Sequence, residues 1–122
     1  MNGLDSFFEY KNFEIEGEAI SAQISVNKSH PIYEGHFPDM PVTPGVVQLA
    51  IVKSVLSKGL ERDIKLIKSR DIKFLSMHIP ADKELIVKIN YKISENDDYI
   101  VKAEIIEEDR VILKFNGTYK AK

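Results

Sequence analysis

The chain has 122 residues, 43% hydrophobic and 30% charged, with 5 prolines and 6 glycines, a balance that fits one soluble globular domain over residues 1–122 and argues against a second. A formal charge of −2 argues against nucleic-acid binding, and the absence of cysteine excludes disulfides, thiolate nucleophiles and cysteine-held zinc. No apolar run approaches the roughly 20 residues that cross a bilayer, and the opening MNGLDSFFEYKN has neither the basic nor the apolar region of a secretory signal, so a cytoplasmic protein with no membrane association is expected.

In chain order, the first predicted element is a strand within Phe13 to Val26, where Ile20, Ala22, Ile24 and Val26 alternate with Ser21, Gln23 and Ser25. A helix follows. Val46, Val47, Leu49, Ala50, Ile51, Val52, Val55 and Leu56 surround almost its whole circumference, which predicts a buried rather than an amphipathic helix. Thr43 suits the N-cap, Pro44 suits the first helical position because its missing N–H had no intrahelical partner, and Gly59 is placed to end the helix.

Three or four strands come next. Ile64 to Phe74 is the least regular, whereas Leu85, Val87, Ile89, Tyr91 and Ile93 alternate with Lys88, Asn90 and Lys92. A polar turn at Glu95 to Asp98 leads to Tyr99, Val101, Ala103 and Ile105, and EEDR turns the chain into Val111, Leu113, Phe115, Gly117 and Tyr119. Such short links favour antiparallel pairing, giving an α+β arrangement of one strand, a buried helix and a meander able to wrap around it.

The chemistry concentrates in HPIYEGHFPDMPVTPGVVQLA, from His30 to Ala50. Pro31, Gly35, His36, Phe37, Pro38, Pro41, Pro44, Gly45 and Val46 stand at the spacing of the 3-hydroxyacyl-(acyl-carrier-protein) dehydratases of fatty-acid synthesis, and the segment resembles that family. Downstream, Lys73, Phe74, Pro80 and Asp82 fit a further family pattern, with Ala81 in place of its glycine. The resemblance covers most of the chain beyond about residue 14. It implies a hot-dog fold, in which an antiparallel sheet wraps one central buried helix, and a dimer with sites at the subunit interface.

Dehydration of a 3-hydroxyacyl thioester needs a base for the C2 proton, and His36 is the candidate, since an imidazole titrates near neutral pH. Negative charge then develops on the thioester oxygen, where the helix-start N–H groups around Gly45 and Val46 would act as an oxyanion hole. Gly45 also suits close packing of the helix start. Tyr33, Phe37, Leu49 and Ala50 are candidate walls of the acyl pocket, and Leu49, Ile51 and Val55 are expected to set its depth across the interface. His30 and His78 match no catalytic position of the family and read as solvated.

In the family, an acidic residue five positions after the glycine matching Gly45 assists departure of the hydroxyl; here that position is Ala50. Ser54 stands where the family commonly has a glutamine, and Lys53 and Ser54 share the Ala50 face as possible polar assistants. Gln48 points away from that face. The chain is therefore similar to a shortened, divergent branch, the dehydratase-like proteins of aryl-polyene clusters. A dehydratase lacking general-acid help, slower by about 10²–10⁴, is one reading. A hot-dog acyl thioesterase and a non-catalytic acyl-binding or partner subunit are the others.

The expected partners are an acyl thioester on acyl carrier protein or coenzyme A, and a second subunit in a homodimer, a higher oligomer or a heterodimer with an acid-bearing paralogue. No metal or other cofactor is implied. Lys58 to Lys73 holds six basic and three acidic residues, a local +3 that would suit an acidic carrier protein or a solvated face equally.

Overall fold

The computed structural model describes residues 7–33 and 42–122. Among the described residues two strands, not one, precede the helix. β1 (Phe8–Glu16) and β2 (Ala19–Val26) form an antiparallel hairpin that turns at Gly17, whose φ of 61° lies in the left-handed region. The first strand escapes a period-two reading because the register shifts between Tyr10 and Asn12, a bulge at Lys11. Phe8, Tyr10, Phe13 and Ile15 thereby all stand opposite Val26, Ile24, Ala22 and Ile20.

A single turn of 3₁₀ helix at Pro31–Tyr33 follows, then α1 (Gly45–Leu60), β3 (Ile64–Phe74), β4 (Leu85–Ile93), β5 (Tyr99–Glu107) and β6 (Arg110–Ala121). The six strands make one sheet in the order β1-β2-β4-β5-β6-β3, antiparallel at every pairing. The alternation read in β4, β5 and β6 becomes the sheet's inner face: Leu85, Val87, Ile89, Val101, Ile105, Leu113 and Phe115 are buried there. Each such side chain contributes about 1.5–3 kcal/mol of burial. One helix against an antiparallel sheet in this order is the hot-dog fold, as the motif resemblance implied.

The expectations about the burial and the capping of the helix need correction. Its buried residues, Val47, Gln48, Ile51, Val52, Val55 and Leu56, recur at helical spacing on one face, while Val46 is 74% exposed. A single sheet reaches only one side of a helix, so apolar residues on the other side stay open. Ile51 and Val55 belong to this chain's own core at 0% exposure and are not available to set a pocket across an interface.

The cap differs too. Pro44 is the N-cap, with no side-chain cap bond, and the Thr43 hydroxyl is spent on other partners. Gly59 lies inside the last turn instead of ending it, because its missing Cβ leaves the space taken by Ile20 Cδ1. The left-handed residue that closes the helix is Glu61, at φ 55°.

β3 is an edge strand, hydrogen-bonded among the described residues only to β6 and exposed along its whole length after Ile64. Register shifts between Leu66 and Lys68 and between Ser69 and Asp71 explain its irregular pattern, since each extra residue reverses the alternation.

Candidate active site at the start of the helix

Thr43, two residues before α1, engages all its polar atoms. Its N–H donates to the His78 carbonyl at 2.9 Å, its carbonyl accepts from Gln48 Nε2 at 3.1 Å, and its hydroxyl lies 2.7 Å from the Tyr33 hydroxyl and 2.6 Å from His78 Nδ1. His78 sits in the connection between β3 and β4. At 2% exposure it is buried, not solvated, and its Nε2 is 3.8 Å from the Glu107 carboxylate. Glu107 is itself buried and paired with Arg110 at 2.6 Å.

The donors follow from this arrangement. A neutral His78 with its proton on Nε2, facing the carboxylate, presents Nδ1 as an acceptor, so Thr43 donates to it and accepts from Tyr33. Burial pushes the His78 pKa down; attraction to Glu107 offsets part of that and Arg110 adds to it. Burial likewise raises the Tyr33 phenol, against its bond to Thr43. His30 is part-buried, packs edge-on to Phe7 at 5.3 Å and accepts the Ile32 N–H on Nδ1, which makes it a local loop anchor.

Beyond Thr43 the helix begins. Val47 and Gln48 N–H both reach the Pro44 carbonyl, and the N–H groups of Gly45 and Val46 have no acceptor among the described residues. A Cβ on Gly45 would stand 2.6 Å from Phe74 Cζ, so this glycine seats an aromatic ring against the helix start. Phe74 is 51% exposed and continues into Leu75, Met77 and Ile79, all open to solvent.

Ala50, Lys53 and Ser54 line one cleft of about 980 Å³ on the open side of α1, together with Tyr10, Lys58 and Arg62. Burial raises the Tyr10 phenol and a hydrogen bond with Ser54 opposes it, while Lys58 Nζ lies 5.1 Å from the Tyr10 ring. Leu49 is partly buried against the core. Gln48 is buried and faces Thr43, away from this cleft, as helical rotation required. His36 and Phe37, with the flanking Glu34 and Asp39, lie outside the described residues. Sequence reasoning missed the Thr43–His78 pair, and no local pattern signals it.

Sheet order and the one α-helix among the described residues define a hot-dog domain. The chain belongs to the ApeI-like family, described as ApeI dehydratase, whose model matches residues 12–115. A 3-hydroxyacyl-(acyl-carrier-protein) dehydratase FabZ of Histophilus somni (strain 2336) is 28% identical over 109 residues, which are 84% of this chain and 63% of that protein. The FabZ of Zymomonas mobilis is 30% identical over 105 residues, 80% of this chain and 66% of its own. The chain thus spans less than two-thirds of the length of these relatives.

Among solved structures, the dehydratase heterocomplex ApeI:P from Xenorhabdus doucetiae superposes with a TM-score of 0.77 at 19% identity, covering 92% of this chain and 96% of that one. A hypothetical thioesterase with coenzyme A from Streptococcus pneumoniae gives 0.66 at 12% identity, covering 94% and 88%. At such identities these two establish the shared fold.

Proposed function

We propose that the chain is a 3-hydroxyacyl-thioester dehydratase of fatty-acid or polyene-type lipid synthesis, taking its substrate on acyl carrier protein, with His36 as base and the Gly45 and Val46 N–H groups as oxyanion hole. The observation that carries this is the first turn of α1, whose Gly45 and Val46 N–H groups have no acceptor among the described residues, at the end of the segment whose spacing matches the dehydratases.

His36 takes the C2 proton, and the electron pair moves onto the thioester oxygen, where the two N–H groups and the helix dipole hold it. Return of that pair forms the C2–C3 double bond and expels the C3 hydroxyl. The His36 imidazolium protonates the departing oxygen, so water leaves and the base is restored. Ala50 supplies no proton. One histidine must then serve both steps, or a partner's acid must enter from the open face of α1.

An assembled site fits this chain's surface. The outer edge of β3, unpaired among the described residues, lies beside exposed Ile72, Phe74, Leu75 and Met77, and this apolar margin adjoins the helix start through the contact of Phe74 with Gly45. A homodimer through that edge, or pairing with a paralogue that carries an acid, would cover it. Ala50 favours the paralogue as a second reading, in which full activity arises only on mixing the chains.

The test is turnover of a short 3-hydroxyacyl thioester on carrier protein by wild type and His36→Ala side by side. Conversion to enoyl product by the wild type alone is expected. Free thiol without enoyl product would mark a thioesterase, and no turnover by either would move the chain to the binding or partner-subunit class.

A further inference from the structure

The outer face of the sheet, opposite the face that holds α1, gathers charge that no single stretch of sequence displays. In β4, β5 and β6 every second residue points outward, so Lys88, Lys92, Lys102, Lys114 and Lys120 stand exposed on one side. Residues directly opposite in neighbouring strands share a face, and the register of β3 with β6 brings Lys65, Lys68 and Lys73 to that side as well. Against these eight lysines the same four strands turn two carboxylates outward, Glu104 and Asp71. The face thus carries +6 in a chain of net charge −2, which leaves −8 for everything else. Lys114 pairs with Glu104 at 3.9 Å and Lys73 with Asp71 at 3.8 Å; the other six have no carboxylate partner among the described residues.

We propose that this face docks the protein on a bilayer surface rich in anionic lipid. Three features select that partner. All eight cations are lysines, whereas arginine is the residue that reads phosphate bidentately, and lysine is depleted from specific protein interfaces. Long lysine stems instead hold a diffuse positive field against a charged plane. No aromatic side chain stands among them, so nucleic-acid bases find no platform on which to stack. Ile100, 47% exposed, lies opposite Lys92 and two residues before Lys102, an apolar side chain placed to enter the headgroup layer.

The rest of the molecule suits this orientation. Glu14 and Glu16 lie on β1, at the other margin of the sheet, and their repulsion tips the contact toward β4, β5 and β6. The helix and the cleft beside it stay on the side away from the bilayer. The expectation of no membrane association rests on the lack of a long apolar run, and a surface assembled from alternate residues of four strands contains none.

Sedimentation with vesicles tests the proposal on the whole chain. Wild type should pellet at low salt with vesicles of equal parts phosphatidylglycerol and phosphatidylcholine, and stay in solution with phosphatidylcholine alone. Salt that shortens the Debye length from about 10 Å to about 3 Å should release it. Each lysine near an anionic surface contributes about fivefold to partition, so Lys88→Gln, Lys102→Gln and Lys114→Gln together should weaken it on the order of 10²-fold. Lys11→Gln, Lys28→Gln and Lys83→Gln change net charge equally but off the face, and should partition nearly as wild type.

Wild-type protein that ignores the phosphatidylglycerol vesicles would overturn the proposal, as would equal losses in the two triple variants. Capture by oligonucleotides and not by vesicles would turn the face over to nucleic acid and defeat it as well. Should the triple variant on the face fail to melt cooperatively, Lys102→Gln alone carries the test as a loss of about fivefold, and unchanged partition in that variant would count against the proposal just as firmly.

Discussion

Gly45 and Gly59 stand near opposite ends of the same helix and yield space to neighbours of different freedom. At Gly59 a methyl would collide with Ile20, which is 2% exposed and has nowhere to move; at Gly45 it would meet the ring of half-exposed Phe74. Gly59→Ala should therefore lower stability by about 1–3 kcal/mol from overpacking, despite the better helix propensity of alanine, as urea unfolding would show. Gly45→Ala should melt nearly as wild type yet lose turnover, because its methyl crowds the proposed oxyanion site. His78 makes a further prediction. Its pKa is depressed in the folded protein, so above its ordinary value of 6.5 it is neutral both folded and unfolded. As pH falls through 6.5 the unfolded chain takes up the proton first, and stability declines toward the lowered folded value. Melting temperatures from about pH 7.5 to about pH 5 should fall more steeply in wild type than in His78→Gln.

At the scale of elements, α1 and β3 each turn a finished face to the core and an unfinished one outward. Burial of Val47, Ile51, Val52, Val55 and Leu56 satisfies one side of α1, while Ala50, Lys53 and Ser54 face the open cleft. Along β3, Lys65, Lys68, Arg70 and Lys73 are all exposed, and among the described residues only Lys73 of these four has a carboxylate partner, Asp71 at 3.8 Å. Exposed lysines on an edge strand suit an acidic carrier protein and also deter edge-to-edge aggregation. Lys65→Glu with Lys68→Glu should weaken carrier-protein binding and make what remains less sensitive to salt. Unchanged affinity in a fluorescence titration would assign the charges to the second role alone.

For the whole molecule, the exposed margin of Phe74, Leu75, Met77 and Ile79 beside the helix start predicts an assembly. Sedimentation should show dimer or larger species for the wild type, and Phe74→Asp with Leu75→Asp should give monomers that keep the far-ultraviolet spectrum but lose turnover. Wild-type protein that stays monomeric until an acid-bearing paralogue is added would place it in a mixed complex. Among the described residues, no helix is long and apolar enough to cross a membrane, and no three histidine or acidic side chains gather as a metal would require.

Sequence alone determined the helix, the β4–β6 meander, the hot-dog fold and the dehydratase family, because alternation, helical periodicity and the Gly-His-Phe-Pro to Pro-Gly-Val spacing are local properties of the chain. What escaped it was decided by tertiary packing. A bulge at Lys11 broke the period that would have revealed β1. Helix burial on one face rather than all round depended on how far a single sheet reaches. Thr43 reads as an N-cap until a histidine 35 positions away takes its hydroxyl, and His78 reads as solvated until β5 brings Glu107 beside it. Such partners are chosen across the fold by the need to satisfy every buried polar group, a condition that short-range pattern does not contain.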